Sequence, residues 1–431
     1  VRRRYHRGVS DFRSLPPALL TAVPGPRSRA LAKRLAAVES RNVTCQDPLP
    51  PLFWERALAS NVWDADGNRF VDLGAGFGVV GVGHAHPRVV DAVARQMAAL
   101  PHAMGDVHPA VTKLELLEAL AARFPGGLPA RSVLGSSGSD AVEIALKTAL
   151  LATGRAGVVA FEGAYHGLTF GALEVTSRAC FRQPFADALT GRASFARFGD
   201  PDDVLRAAGR ARAPVGAVIV EPIQGRGGER IPPAGFLTRL RALCDREGWL
   251  LIADEVYTGF GRTGRFFACD HEGVIPDLLC VGKAMASGMP VSACIGRGRL
   301  MDAWPPSQGE ALHTQTFLGH PPGAAAALAT LAVLEEEKLV ERAAELGGYA
   351  LARLQRAAGA GVREVRGCGL LLGIECDSPE RAARACARAL ERGVILLSSG
   401  EDDRVLSITP PLSIEREVLD GALAVVLECL Q

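Results

Sequence analysis

The sequence has no Cys-x-x-Cys pair, no membrane-length apolar run and almost no net charge, and each lack removes a class of function. Lys+Arg 48 against Asp+Glu 47 leave a formal charge of +1, so the chain's overall balance points neither to nucleic acid nor to an anionic membrane surface. The basic start, Arg2 to Arg7, is short and reads as a solvated tail. Alanine-rich Gly323 to Leu334 comes nearest to a bilayer span, but at 12 residues it is too short and reads as a buried helix. No apolar segment follows the basic start, where prolines break "PPALLTAVPGP", so a secretory signal is not expected. The ten cysteines are scattered singly and none clusters with histidine, which fits reduced thiols in the cytoplasm better than disulfides or a zinc site. No internal repeat and no low-complexity linker interrupts the chain.

At 431 residues the chain exceeds what one core supports, so two linked domains are expected. Residues 1–75 are rich in proline and arginine and end in "NVWDADGNRFVDL", two β-patterned runs flanking Asp-Gly-Asn, a hairpin signal. From 76 to 320 the pattern alternates. "SVLGSSGSDAVEIALK", "GVVAFEGAYHG", "GAVIVEPIQG", "WLLIADEVYTG", "DLLCVGK" and "VSACIG" are apolar runs ending in glycine or polar residues. This predicts an α/β fold with a mostly parallel central sheet and helices on both faces. Residues 321–431 read as a smaller α+β domain, with a charged helix "EEEKLVERAAELGGYALARLQRAA", into which the N-terminal segment also packs.

Three ionisable residues stand at or just past strand ends: Glu221, Asp254 and Lys283. Open α/β sheets keep their ligands at that edge. Alone, each has an ordinary reading: a surface lysine, a salt bridge, a helix cap. An amine and a carboxylate at neighbouring strand ends also match what pyridoxal phosphate demands, a Schiff-base partner and an acid to keep the pyridine nitrogen protonated. Ser136, Ser137, Gly138 and Ser139 sit where a turn opens a helix, which makes an anion seat for a phosphate. Tyr165 of "AYHG" offers a ring to stack on the pyridine.

With these residues in place, the sequence resembles the class III, or omega, aminotransferases, fold-type I pyridoxal-phosphate enzymes. The resemblance runs from "NVWDADGNRFVDL" and "GVGHAHPRVV" through "GSSGSDAVEIALK", "AYHG", "EPIQG" and "DEVYTGFGRTG" to "CVGKAM", "TFLGHPPG" and "TPPL". It implies pyridoxal 5'-phosphate as cofactor and a homodimer with shared active sites; with the cysteine pattern, no metal and a cytoplasmic location are expected. Lys283 would form the internal aldimine and shuttle the proton, and Asp254 would pair with the pyridine nitrogen. Val256 and Tyr165 would face the two sides of the ring, with His166 and Tyr257 also at the cofactor. Ser137, Gly138, Ser139 and the partner subunit's Thr316 would hold the phosphate, and Glu221 would sit near the substrate. The implied reaction moves an amino group from a small amine or amino acid to a 2-oxo acid by way of pyridoxamine phosphate.

The chain departs from the family's pattern in several places. Ser407 stands where many members carry an arginine that meets a substrate carboxylate or the glutamate, which leaves Glu221 without that partner. Arg404 or Arg226 could compensate, or either could be a solvated surface charge. Tyr257 replaces a glutamine that reaches the cofactor's ring oxygen. His320 replaces an asparagine and reads as structural. Loss of the arginine keeps a second activity in view, an amino-acid racemase or epimerase on the same fold.

Overall fold

The apolar runs of the middle segment come together in one seven-stranded sheet in the computed structural model, which describes residues 12–46 and 50–431. Across the sheet the strands are Ala130–Gly135, Ser292–Arg297, Leu278–Val281, Leu250–Asp254, Val215–Val220, Gly157–Phe161 and Ala193–Ala196. Ser292–Arg297 runs antiparallel to both neighbours; the other pairings are parallel. Every residue of Val215–Val220 is buried, as befits a strand covered on both faces. Helix Gly138–Thr153 covers one face, where Ala141, Ile144 and Ala145 share a core with Ile219, Ile252 and Cys280. Helix Phe236–Glu247 covers the other, with Phe236 and Leu240 in the cluster that holds Val218, Leu251 and Leu279. The carboxyl ends of the parallel strands therefore lie along one edge, and the residues that follow them converge there.

The expected hairpin forms between Asn61–Asp64 and Arg69–Asp72, with Gly67 at a φ of 87° in the turn. Arg69–Asp72 also pairs in parallel with Val394–Ile395, so the two ends of the described chain share a sheet. A third sheet is antiparallel throughout, in the order Val362–Cys368, Leu371–Cys376, Val405–Ile408, Leu397–Ser399. The charged helix begins later than its pattern suggests. Pro321–Glu336 buries Ala324, Ala327 and Leu331, while Leu339–Ala357 buries Leu339, Ala343 and Leu346, and Lys338 in the left-handed region (φ 51°) turns the chain between them. Among the described residues no helix is long and apolar enough to cross a membrane. The basic start lies outside the described residues.

Candidate active site

A cavity of about 650 Å³ opens at the carboxyl edge of the sheet, and its wall contains Lys283, Asp254, Glu221, Tyr165, His166, Val256, Tyr257, Gly138 and Ser139. Ser137 and Thr316 are not in that wall. The Ser137 hydroxyl caps the helix by accepting from the Asp140 N–H at 3.2 Å, and Thr316 is exposed on a turn.

Lys283 follows Leu278–Val281 and has a φ of 44°, a left-handed conformation rare for a residue with a side chain. Its Nζ lies 4.0 Å from the centroid of the Tyr257 ring. Burial lowers the ammonium from 10.5 to about 8; Arg226 and Arg262 push the same way, and Asp254 and Glu221 oppose them. The Tyr257 ring packs so closely on the loops around it that a Cβ on Gly225 would come within 2.5 Å of it, and one on Gly78 within 2.9 Å. Its hydroxyl is 3.3 Å from Thr409 Oγ1.

Asp254, the last residue of its strand, is held on both oxygens: Oδ1 accepts from the Val256 N–H at 3.1 Å, and Oδ2 is 2.7 Å from His166 Nδ1. An ionised carboxylate only accepts, so the proton sits on Nδ1. His166 Nε2 is buried without a partner among the described residues.

The N–H groups of Gly138 and Ser139 open helix Gly138–Thr153, where no carbonyl of an earlier turn can take them. A Cβ on Gly138 would come within 2.7 Å of Val256 Cγ1, so the helix start meets the strand end only because that residue is glycine. One cavity thus joins an amine of lowered basicity, a carboxylate and a helix N-terminus with free donors. These residues fit pyridoxal phosphate, whose aldehyde, pyridine nitrogen and phosphate call for those three groups.

The acid opposite is less familiar. Glu221 is buried, accepts from the N–H groups of Tyr165 at 2.9 Å and Gly225 at 3.1 Å, and is pushed up to about 7 by burial. It makes no ion pair among the described residues. Ser407 turns instead to Glu229, donating to Oε1 at 2.6 Å. Sequence reading missed Glu229, although the glycine pair Gly227-Gly228 ahead of a carboxylate was a signal. Arg404 pairs with Asp402 and stays off the cavity wall, whereas Arg226 is part of it. His320 caps helix Pro321–Glu336, accepting from the Gly323 N–H at 3.3 Å.

The model of the class-III aminotransferase family matches residues 43–430. The 5-aminovalerate aminotransferase DavT of Pseudomonas aeruginosa is 37% identical over 425 residues, 93% of this chain and 98% of its own. Acetylornithine aminotransferase of Methanopyrus kandleri is 40% identical over 372 residues, 86% of this chain and 92% of its own. Among solved structures, ornithine aminotransferase of Toxoplasma gondii superposes with a TM-score of 0.85 at 30% identity, covering 94% of each chain. Another structure of that enzyme has partial occupancy of PLP at its active site.

Proposed function

The chain belongs to the class III aminotransferases and moves an amino group from a donor to a 2-oxo acid with pyridoxal phosphate; on that premise we propose that its substrates present a carboxylate to Arg226 and react at a terminal amine. The observation that carries this reading is that Arg226 makes no ion pair among the described residues and yet lines the same cavity as Lys283. The names of the relatives support it, since 5-aminovalerate carries its amine at the end remote from its carboxylate.

In this reading Lys283 is the attachment point of the cofactor, and its Nζ carries the proton to and from the carbon bearing the reacting amine. Asp254, aimed by His166 Nδ1–H, would meet the pyridine nitrogen. Tyr165 and Val256 would hold the ring, and the N–H groups of Gly138 and Ser139 would take the phosphate. When bound, pyridoxal phosphate supplies the electron-withdrawing ring that makes the substrate proton removable.

The enzyme works as a cytoplasmic homodimer in which the partner subunit's Thr316 completes the phosphate seat. Exposed Met104, Val107, Leu312 and Phe317 support a subunit contact beside that turn, since Thr314 Oγ1 donates to Asp106 at 2.8 Å and ties the two segments together. The free thiols fit a reducing compartment. Assay with 5-aminovalerate and 2-oxoglutarate tests the substrate reading. Turnover that falls about 10- to 100-fold in kcat/KM in Arg226→Ala supports it, as loss of a charged hydrogen bond should. Equal turnover in both proteins overturns it.

A further inference from the structure

Glu229 has the features of a built site. It sits in the left-handed region (φ 47°) after Gly228, in a loop closed by the Gln224–Arg230 bridge. A carboxylate residue takes that conformation only where the surroundings impose it. Its side chain is 1% exposed and forms part of the cavity wall. The small antiparallel sheet supplies its seat. Ser407 pairs with Leu397 across the strands, which puts Ser399 diagonally on the same face. Both hydroxyls donate to the carboxylate, Ser407 at 2.6 Å to Oε1 and Ser399 at 2.7 Å to Oε2. Gly373, the other neighbour of Ser407, makes the room: a Cβ there would lie 3.0 Å from Glu229 Cβ.

What this seat lacks is a cation in contact with it: Arg366 and Arg226 act on the carboxylate only from beyond ion-pairing distance. Among the described residues Glu229 makes no ion pair; Arg366 is committed to Glu364, Glu375 and the Gly228 carbonyl. Two hydroxyls satisfy part of a carboxylate's accepting capacity, but a buried charge without a counter-ion in contact is costly, and Glu229 belongs to the wall of the substrate cavity.

We infer that Glu229, seated by Ser399 and Ser407, receives a second ammonium group of the amino donor, so that Arg226 and Glu229 together take the zwitterionic end of a diamino acid whose terminal amine takes the place of Lys283 on the cofactor. This rests on the terminal-amine reading above and narrows its substrate class. Arg226 alone suffices for the 2-oxo acid that follows in the second half-reaction; Glu229 distinguishes the donor.

Ornithine and 5-aminovalerate differ only by an α-amino group, so their kcat/KM ratio isolates that contact. The wild type is expected to favour ornithine, and Glu229→Gln to lower the ornithine to 5-aminovalerate ratio by about 10- to 100-fold, mainly through KM for ornithine. A ratio unmoved in Glu229→Gln overturns the inference, because a merely structural role lowers both donors together. If the variant does not fold, the wild type alone still decides: turnover of 5-aminovalerate with no preference for ornithine sinks the role of Glu229 and leaves that of Arg226 standing. Turnover of neither donor removes both.

Discussion

His166 Nδ1 lies 2.7 Å from Asp254 Oδ2, and this one contact sets the aim of the acid at the end of strand Leu250–Asp254. The Val256 N–H holds the other oxygen at 3.1 Å, so the carboxylate cannot rotate without losing a partner. A carboxylate so held presents a fixed face to the cavity. A fixed orientation is what an acid needs opposite a protonated ring nitrogen.

Asp254→Asn should therefore keep the fold and lose turnover. The amide has nearly the same shape and its oxygen can still accept from His166, but its NH2 then meets the Val256 N–H, so one hydrogen bond goes together with the fixed negative charge. The expected loss in kcat is about 10²- to 10³-fold, the range seen when one electrostatic contact to a reacting centre is removed. Thermal melting alongside kinetics checks it: normal turnover in a folded Asn variant makes Asp254 a structural residue.

Lys283→Ala should lose turnover by several orders of magnitude, because it removes the nucleophile and the proton carrier together. Borohydride treatment of the cofactor-loaded wild type should leave the cofactor's mass on the peptide that contains Lys283. Label on a different lysine would reassign the attachment point.

Much of this site could be read from local signals, and the reason is the parallel sheet. A strand such as Val215–Val220 is buried along its whole length, so it appears in the sequence as an unbroken apolar run, and the first charged residue after it, Glu221, marks the functional edge. Glu229 follows no apolar run, and its only local sign is the glycine pair Gly227-Gly228 before it. Its seat joins residues 170 and 178 positions away, across a strand pairing that no local pattern encodes. The turn at Lys338 was illegible for a related reason: both flanking segments have helical patterns, and only packing against the core decides where one stops.

The lowered basicity of Lys283 gives the cofactor-free protein a pH signature. Folded, the amine loses its proton near 8, whereas unfolded it holds it to about 10.5. Between those values the unfolded chain binds more protons, so this group's contribution to stability rises with pH across the window. Below it, both states are charged and the full penalty of burial remains. Apo Lys283→Met should then be more stable than the apo wild type near neutral pH, with the gap narrowing as pH rises toward 10.5. Denaturant melts of both apoproteins across that range measure it; a gap independent of pH would show that the amine is not desolvated.

Thr316 tests the shared site. It is exposed, its hydroxyl has no hydrogen bond among the described residues, and it lies beside Gln315, which accepts from Ser136 Oγ at 2.7 Å at the helix start where the phosphate seat is expected. If the hydroxyl serves the neighbouring subunit, neither chain alone holds a complete seat, and cofactor binding and dimer formation strengthen each other. A single hydrogen bond to a charged phosphate is worth about 1.5–3 kcal/mol, so Thr316→Val should weaken cofactor binding by roughly one to two orders of magnitude. Mixing Thr316→Val with Lys283→Ala under subunit exchange at limiting cofactor separates the two geometries. A shared site places an intact Lys283 and the partner subunit's intact Thr316 around one cavity of each hybrid dimer, and activity returns there. A Thr316 acting within its own chain leaves every cavity with a defect, and mixing restores nothing.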